Sequence, residues 1–405
     1  MKHLSSLHPF PFPSLFHSHR RAALALLSAG ILIAGCNSSD SPTGSTEGPT
    51  GGSGGLCPSN PFVMTPRHLE GDTQHTDVIR SMRADASDLF FSNFRDAFRI
   101  PVAGGDPVRV LEGSKTGVQP GGILSAKGRF FLHAYSYSGK EQLYELPRTG
   151  TAVTKILDSV PVLEGESRYG LEIMSMDDTY LYWYTELTSR NGVSIPFGTQ
   201  PIVIHRMPWA GGPAETLATL ESENDGFQRS GDRLLLLQKP YNDSDKSERL
   251  YSIPVAGGVP VVVADYPASV SLVEADADYA YIVTEPEFNE ATNTMNQYGL
   301  VKQPLAAGQA LVFLTQLLLP NRVWADPDRL VIFDYGQVKP STTPLENYAE
   351  AVFSVPLTGG ALSFITCLDI PDAATVHATT KDGKNLYLTS NASSGEDAIF
   401  HITLP

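Results

Sequence analysis

Ile100-Pro-Val-Ala-Gly-Gly-Asp-Pro107 is the stretch from which the organisation of this chain can be worked out. Altered copies return along the sequence, and in most of them an apolar residue precedes a proline and glycine follows three residues after it. The copies read LPRTGT from Leu146, MPWAGGP from Met207, IPVAGGVP from Ile253, QPLAAGQ from Gln303 and VPLTGG from Val355, with a truncated ITLP from Ile402. The stretch is therefore one instance of an internal repeat.

Each copy lies between two predicted strands, which we call C and D. An alternating apolar run such as DAFRIP precedes the turn, and its proline ends the strand because proline has no N–H for the ladder. The Gly-Gly pair then permits the positive φ angles of a tight hairpin. A second run such as PVRVLE returns, so every copy predicts one β-hairpin.

A second pattern precedes each hairpin and predicts two further strands, A and B. An apolar stretch leads into a short turn of Asp, Gly, Asn or Ser, residues that tolerate turn dihedrals, and a strongly apolar strand follows. The seven turns with the start of their B strands read ASDLFF from Ala86, AKGRFF from Ala126, DDTYLYW from Asp177, SGDRLLLL from Ser230, DADYAYIV from Asp276, DPDRLVIF from Asp326 and KDGKNLYL from Lys381.

A period of about 50 residues made of short apolar runs is typical of β-propellers, in which each blade is one small sheet. The sequence therefore predicts an all-β fold over residues 58–405, a seven-bladed propeller with four-stranded antiparallel blades. The seventh unit, 370–405, has no strand D. We expect the apolar stretch Pro61–Leu69 to supply it and so to close the ring. Eight blades or two domains are the alternative counts.

The combination of a polar turn, an LYW or LYL strand and an IPxxGG hairpin resembles the bacterial YWTD/TolB-like propellers and their lipoprotein relatives. The resemblance covers roughly residues 58–405. It implies the seven-bladed fold and leaves the activity open, because propellers serve as binding modules, scaffolds and enzymes alike.

The N-terminus has the features of a targeting segment. Lys2, Arg20 and Arg21 precede the apolar run Ala22–Ala34, which is too short to span a bilayer. Ile33-Ala34-Gly35-Cys36 resembles the bacterial lipobox, which implies a signal peptide over 1–35 and lipidation of Cys36. Residues 36–57 then form a flexible Ser/Gly/Thr/Pro tether, and Asn37 resembles an outer-membrane sorting signal. An ordinary secretory signal is the alternative.

Composition limits the partners. A formal net charge of −15 repels nucleic acid, so we expect no nucleic-acid partner. The sequence contains no recognisable nucleophile elbow, HExxH motif or phosphate-binding loop, so we assign no catalytic residue, metal or cofactor. In an exported protein Cys57 and Cys367 are candidates for a disulfide, which would tie the start of the folded domain to its far end.

Long connections between strands B and C offer the best candidate for a ligand-binding surface. They fall in units three to six, at about Thr185–Pro201, Lys239–Glu248, Glu285–Tyr298 and Asp334–Glu350, and one face of the ring would carry all four. The alternative is that these four connections are surface insertions that the fold tolerates and that bind no ligand. The candidate ligand-binding residues are Tyr241, Asp243, Asp245, Glu287, Phe288, Tyr298, Tyr335 and Tyr348.

The predicted A strands supply weaker candidates, Glu172, Glu274, Trp324 and His377, which would line the central channel. The sequence thus favours a monomeric propeller that is lipid-anchored in the cell envelope, with the outer membrane as the expected location. We expect it to act as a non-enzymatic binding or scaffold module for a protein, peptide or glycan. The alternative is a hydrolase or lyase of envelope or extracellular polysaccharide, with channel Glu and His as acid and base.

Overall fold

The computed structural model describes the chain from Ile79 to Leu404 with gaps, together with Val63–Met64. The described residues are 63–64, 79–138, 140–159, 166–190, 193–196, 200–221, 223–239, 247–267, 269–285, 288–289, 294–295, 298–306, 308–317, 320–335, 350–368, 379–391 and 397–404. Within them, no helix is long and apolar enough to cross a membrane.

The described strands form seven antiparallel sheets that are each one blade, and one additional two-stranded sheet. β1 (Val63–Met64) comes before the first blade. Blade 1 is β2 (Ser81–Ala84), β3 (Asp88–Ser92), β4 (Asp96–Pro101) and β5 (Val108–Glu112), followed by the short helix α1 (Gly113–Thr116). Blade 2 is β6 (Val118–Ala126), β7 (Arg129–Ser136), β8 (Glu141–Leu146) and β9 (Thr154–Leu157). Blade 3 is β10 (Glu166–Met176), β11 (Tyr180–Arg190), β12 (Val193–Ser194), β13 (Ile202–Pro208) and β14 (Glu215–Leu220).

The remaining blades repeat this order. Blade 4 is β15 (Glu223–Ser230), β16 (Arg233–Lys239), β17 (Glu248–Pro254) and β18 (Val261–Tyr266). Blade 5 is β19 (Val270–Ala275), β20 (Tyr279–Thr284), the small hairpin β21 (Phe288–Asn289) and β22 (Thr294–Met295), β23 (Tyr298–Pro304) and β24 (Val312–Leu317). Blade 6 is β25 (Pro320–Ala325), β26 (Arg329–Tyr335), β27 (Glu350–Pro356) and β28 (Ser363–Leu368), and blade 7 contains β29 (Thr379–Asp382), β30 (Asn385–Asn391) and β31 (Asp397–Thr403). The predicted all-β, seven-bladed propeller is confirmed.

The core lies between the blades, because the second strand of each blade is apolar on both faces. Leu234 and Leu236 pack against blade 3, whereas Leu235 and Leu237 pack against blade 5. All four are fully buried, and burial of a leucine side chain contributes about 1.5–3 kcal/mol. Equivalent clusters join every pair of neighbouring blades around the ring. A blade therefore needs a neighbour on each side.

The turn between the first and second strands is fixed by an aspartate. In blade 3, Asp177 Oδ1 accepts hydrogen bonds from the N–H groups of Thr179 and Tyr180, both at 2.7 Å, and Tyr182 Oη donates to Oδ2 at 2.6 Å. Blade 5 repeats the arrangement with Asp276 and Tyr281. The tyrosine thus ties the turn to the strand that leaves it.

Blade 1 replaces this tyrosine by a contact with the next blade. Asp85 Oδ1 accepts hydrogen bonds from the N–H groups of Ser87 and Asp88, at 2.9 and 3.0 Å. Phe90 has no hydroxyl, and Arg148 of blade 2 pairs with the Asp85 carboxylate instead. Burial disfavours the charged form of Asp85, but the bonds from Arg148 and the two backbone N–H groups outweigh burial and lower the pKa of Asp85 to about 2.

A basic residue two positions before the repeat proline connects three blades to their neighbours. Arg99 Nη1 donates to the Pro147 carbonyl at 3.0 Å, and Lys302 Nζ donates to the Leu357 carbonyl at 2.6 Å. Arg206 makes the equivalent bond with the Val255 carbonyl. Each acceptor belongs to the C–D turn of the following blade, so the hairpins that define the repeat also hold adjacent blades together.

The two ends of the chain close the ring. β1 pairs antiparallel with β31, with Val63 opposite Ile399 and Met64 opposite Ala398, and so completes blade 7. An apolar cluster that contains Met82 of blade 1 and Tyr387 of blade 7 continues the core across this junction. The predicted closure by an N-terminal strand is confirmed, and its described part is Val63–Met64.

Removal of the closing strand tests its role. Deletion of residues 58–70 exposes the β31 edge, so we expect the midpoint of thermal unfolding to fall by roughly 5 °C or more, with lower solubility. Deletion of the same number of residues from the tether, 41–53, serves as the control and should leave both properties unchanged. Equal midpoints of thermal unfolding in the two deletion variants would show that β1 does not close the ring.

The Asp85 carboxylate should make stability depend on pH. Because its folded pKa lies below its unfolded value, its contribution is complete above about pH 4 and is lost as the pH falls toward 2. Because solvent partly screens the carboxylate, we expect Asp85→Asn to lower the free energy of unfolding by about 1–2 kcal/mol at pH 6 and by about half as much at pH 3. Urea unfolding at the two pH values measures this difference. Asp106→Asn, at an exposed turn position, is the control. If Asp85→Asn lowered the free energy of unfolding equally at both pH values, the stabilising role of the ionised Asp85 carboxylate would be contradicted.

Candidate functional site

The central channel is bordered by the first strand of each blade, because the first strands of neighbouring blades contact one another. The A–B and C–D turns lie at one end of the ring, which we call the turn face. The B–C connections and the links between blades lie at the other end, which we call the loop face.

Strand pairing places charged residues of blades 1 and 5 at matching heights on the first strands that border the channel. Arg83 pairs with Phe90 and Glu274 pairs with Tyr281, each the third residue of its B strand, so Arg83 and Glu274 occupy the same position in the repeat. Trp324 has this position in blade 6. Arg322, which pairs with Phe333, lies two residues nearer the loop face.

Arg83, Glu274 and Arg322 influence one another's charge. Burial raises the pKa of Glu274, while Arg322 and Arg83 act in the opposite direction. Burial also lowers the pKa of Arg83, and the positive charge of Arg322 lowers it further. The side chains of both arginines are exposed to solvent, although protein atoms surround them closely. A side chain that projects into a water-filled channel has both of these properties.

The arrangement combines two guanidinium groups with one carboxylate. Arg83 Nη1 donates to the Met82 carbonyl at 2.9 Å, which engages one of the five N–H donors of an arginine. Glu274 accepts a hydrogen bond from the Ala275 N–H at 2.9 Å. Arg83 therefore keeps N–H donors that its bond to the Met82 carbonyl does not use.

A buried hydrogen bond between a histidine and a glutamate lies in blade 2, toward the loop face. His133 Nε2 is 2.7 Å from Glu141 Oε2, and both side chains are less than a tenth exposed. The Tyr135 ring packs on the His133 ring with 4.6 Å between centroids. Gly121 permits this packing, because a Cβ there would lie 3.0 Å from the His133 carbonyl oxygen. The pair holds the short hairpin between the second and third strands.

The loop-face end of blade 1 adds a cation and an aromatic ring. The Arg80 guanidinium carbon lies 3.0 Å from the Phe94 ring centroid. Burial lowers the pKa of Arg80, and Tyr135 acts in the opposite direction. The next turn exposes 72% of Tyr137. This side of the loop face therefore presents rings and an arginine that the sequence analysis did not single out.

A depression of about 680 Å³ on the turn face is a weaker candidate. The A–B turns of blades 1 to 3 line it, together with Arg229 and Val255 of blade 4. Its carboxylates already stabilise the fold: Asp177 holds its own turn and lies 3.4 Å from Arg229, and Asp85 pairs with Arg148. The depression is built from groups that the fold itself requires.

The strand bounds confirm that the connections between the second and third strands differ in length. They span 93–95, 137–140 and 392–396 in blades 1, 2 and 7, but 191–201, 240–247, 285–297 and 336–349 in blades 3 to 6. Two of the long connections contain additional strands, β12 and the β21–β22 hairpin. The longer connections therefore belong to four adjacent blades.

The structure describes only some of the predicted site residues. Tyr298 is the first residue of β23 and is half-buried against the core of blades 5 and 6, so its ring belongs partly to the fold. Phe288 lies in β21, Tyr335 ends β26 and Cys367 lies in β28 opposite Ala351. Outside the described residues are Cys36, Cys57, Tyr241, Asp243, Asp245, Glu287, Tyr348 and His377.

Ligand binding by these residues and a Cys57–Cys367 disulfide therefore stay predictions. Of the four channel candidates, Glu274 is placed among charged residues and Trp324 occupies the equivalent repeat position. Glu172 lies in β10 opposite Tyr184. Within the described residues, no group of three or more His, Cys, Asp or Glu side chains could hold a metal ion.

Comparisons with known proteins agree on the fold. No family model matches the chain, and no curated protein matches it. Among solved structures, an oligogalacturonate lyase from Vibrio parahaemolyticus is 12% identical with a TM-score of 0.50, over 82% of this chain and 92% of that one. A post-proline cleaving enzyme from Rickettsia typhi is also 12% identical, with a TM-score of 0.51, over 82% of this chain and 52% of that one.

A puromycin-hydrolyzing peptidase from Mycobacterium tuberculosis is 11% identical with a TM-score of 0.50, over 80% of this chain and 51% of that one. The chain thus spans about half the length of the two peptidases. At such identities the likeness concerns the propeller fold and carries no activity with it.

Proposed function

We propose that the protein is a lipid-anchored binding module of the cell envelope, which recognises a protein, peptide or glycan at its loop face and is not an enzyme. The observation that carries the proposal is the grouping of four long B–C connections on adjacent blades, 3 to 6. A rigid scaffold that presents long neighbouring loops is a common way to build a recognition surface.

The shape of the loop face supports this proposal. Blades 3 to 6 carry the long connections, whereas blades 7, 1 and 2 keep short ones. The longer connections are therefore grouped on one side of the ring. The lower side carries Arg80 against Phe94 and the exposed Tyr137. Aromatic and arginine side chains of this kind are frequent at binding surfaces.

The described channel residues are better suited to ligand binding than to cleavage of a polysaccharide by a hydrolase or lyase reaction. A general acid and base work as a placed pair with access to the substrate. Glu274 is instead accompanied by Arg83 and Arg322, while the Asp276 carboxylate is engaged by its own turn and by Tyr281. Guanidinium groups beside a carboxylate hold a charged ligand more readily than they transfer protons.

The anchor would keep the loop face accessible. The proposed tether over residues 36–57 would have a root-mean-square span of about 25 Å, as expected for a Gly/Ser-rich linker of this length. A lipid at Cys36 would thus hold the propeller near the membrane, in our proposal the outer membrane, without fixing its orientation. A monomer attached in this way can present its loop face to other envelope components.

Trimming the long loops tests the binding proposal. We expect replacement of 191–201, 240–247, 285–297 and 336–349 by short Gly/Ser linkers to reduce partner recovery from solubilised envelope at least tenfold, because those residues would make the contacts. Quantitative mass spectrometry of the captured material measures this effect. Replacement of 392–396, a short connection at the same face, is the matched control. Unchanged partners in the trimmed variant would refute the loop-face proposal.

The anchor is tested by substitution of its cysteine. We expect Cys36→Ala to abolish incorporation of an alkyne-labelled fatty acid and to move the protein from the membrane fraction to the soluble fraction, because Cys36 would carry the lipid. Cys57→Ala should leave labelling and fractionation unchanged. Labelling that persists in Cys36→Ala would contradict lipidation at this residue.

A further inference from the structure

We propose that the outer edge of blades 4 to 6 docks on the lipid bilayer and so turns the loop face away from the membrane. The docking surface, which we call the apolar rim, consists of exposed apolar side chains at the start of the outermost strands. They are Val259, Val261 and Val262 of blade 4, residues 311–313 of blade 5 and Phe364 of blade 6. The inference rests on the proposed function, because it requires the lipid anchor at Cys36.

The exposure of these side chains is the first argument. The described part of the chain contains nine exposed large hydrophobic side chains, and seven of them belong to the apolar rim. Val259 is 83% exposed and Phe313 is 54% exposed. The other two, Tyr137 and Val193, lie in connections of the loop face. Single exposed apolar side chains are common, but a group of them on neighbouring blades marks a contact surface.

The apolar character of the rim is not a requirement of the fold. Strand D of each blade has one residue that pairs with the third residue before the repeat proline. In blades 1 to 3 this residue is Arg109, Lys155 and Thr216. In blades 4 to 6 it is Val262, Phe313 and Phe364. The same position is therefore polar on one side of the ring and apolar on the other.

The rim also lacks charge. Residues 255–264, 305–317 and 357–368, which include the C–D turns of blades 4 to 6 and most of their outermost strands, contain no Asp, Glu, Lys or Arg. The strands β18, β24 and β28 are edge strands of their sheets. Charged side chains usually protect such edges from association, as Arg109 and Lys155 do in blades 1 and 2. An edge without them is suited to contact with an apolar phase.

The position of the proposed anchor identifies this phase as the bilayer. β1 runs antiparallel to β31, which leads from the loop face to the turn face, so β1 begins on the turn-face side. The apolar rim also lies on that side, because strand D begins directly after the C–D turn. Blade 7, which β1 completes, shares an apolar cluster with blade 6. Since Cys36 precedes β1 in the sequence, a lipid there would hold the propeller beside the rim.

A bilayer fits the rim better than a second copy of the chain does. The outermost strands of a closed ring follow its convex circumference, so two such rims would meet over only part of the three blades. A fluid bilayer instead adapts to the side chains that enter it. The A–B turns of the same blades expose Asp232, Asp278 and Asp328, which limits insertion to the rim itself. We therefore expect shallow apolar insertion that does not depend on anionic lipid.

The experiment measures whether a rim side chain enters the bilayer. Phe313→Trp places a fluorophore in the rim, and Tyr137→Trp places one at an exposed position of the loop face. Each full-length, lipidated variant is reconstituted in phosphatidylcholine vesicles with and without bromine on the acyl chains, which quenches tryptophan inside the bilayer. After subtraction of the signal of the unsubstituted protein, we expect at least threefold stronger quenching for Phe313→Trp. Equal quenching of the two variants would overturn the inference.

Further substitutions assign the quenching to the rim. Val312→Ser together with Phe364→Ser, added to Phe313→Trp, should reduce the quenching at least threefold. Val193→Ser removes an exposed valine from the loop face and should leave it unchanged. Raising the salt concentration from about 0.1 M to about 0.5 M should also have no effect, because the contact is apolar. Quenching that resists the two serines, or that salt abolishes, would overturn apolar docking.

The fold of each variant is checked by thermal unfolding. We expect the serines to be tolerated, because Ser363 occupies the position of Val312 in blade 6 and Thr216 occupies the position of Phe364 in blade 3. Should Phe313→Trp unfold, Val259→Trp replaces it as the reporter, since that side chain is the most exposed of the rim.

The remaining outcomes separate docking from self-association and from the proposed function. Sedimentation of full-length Cys36→Ala should show a monomer, and a dimer that the two serines dissociate would make the rim a contact between copies instead. If Phe313→Trp is not quenched but loop trimming removes an envelope partner, the rim inference fails and the proposed function stands. If Phe313→Trp is quenched but the trimmed protein keeps its partners, the rim stands and recognition at the loop face fails.

Discussion

The whole molecule depends on burial of both faces of each blade. A strand such as β16, with four consecutive leucines, has no side that can face water, so blade 4 is stable only between blades 3 and 5. The same requirement applies around the ring, because an apolar cluster joins each pair of neighbours. An open arc of blades would leave two apolar faces exposed. Closure of the ring removes both of them, and the pairing of β1 with β31 joins the two ends of the folded chain.

The fold could be predicted from the sequence because its signals are local. Proline, Gly-Gly and the turn aspartates act within a few residues, and their repetition fixes the number of blades and the order of strands. The closing strand could be expected because the last unit lacks one strand and an apolar stretch precedes the first. The contacts between blades were missed, although a signal for them exists: Arg99, Arg206 and Lys302 all stand two residues before the repeat proline.

The candidate site could be predicted only in part, because it depends on register. Glu274 was proposed as one of several channel residues, whereas Arg83 and Arg322 were not. The pairing of β19 shifts between Leu272 and Glu274, and that of β25 shifts between Pro320 and Arg322. Such irregularities decide which residues reach the channel, and strand alternation in the sequence does not reveal them. Tyr298, which the sequence placed at the end of a long connection, is the first residue of a strand and packs partly against the core.

The two ends of the ring differ in how many of their side chains the fold itself requires. At the turn face, carboxylates hold turns and basic groups bind the carbonyls of the next blade, so a change there disturbs the repeat. At the loop face some side chains also hold turns, as His133 and Glu141 do in blade 2, but the spacing between strands varies from blade to blade. Recognition is therefore expected where the repeat is least regular.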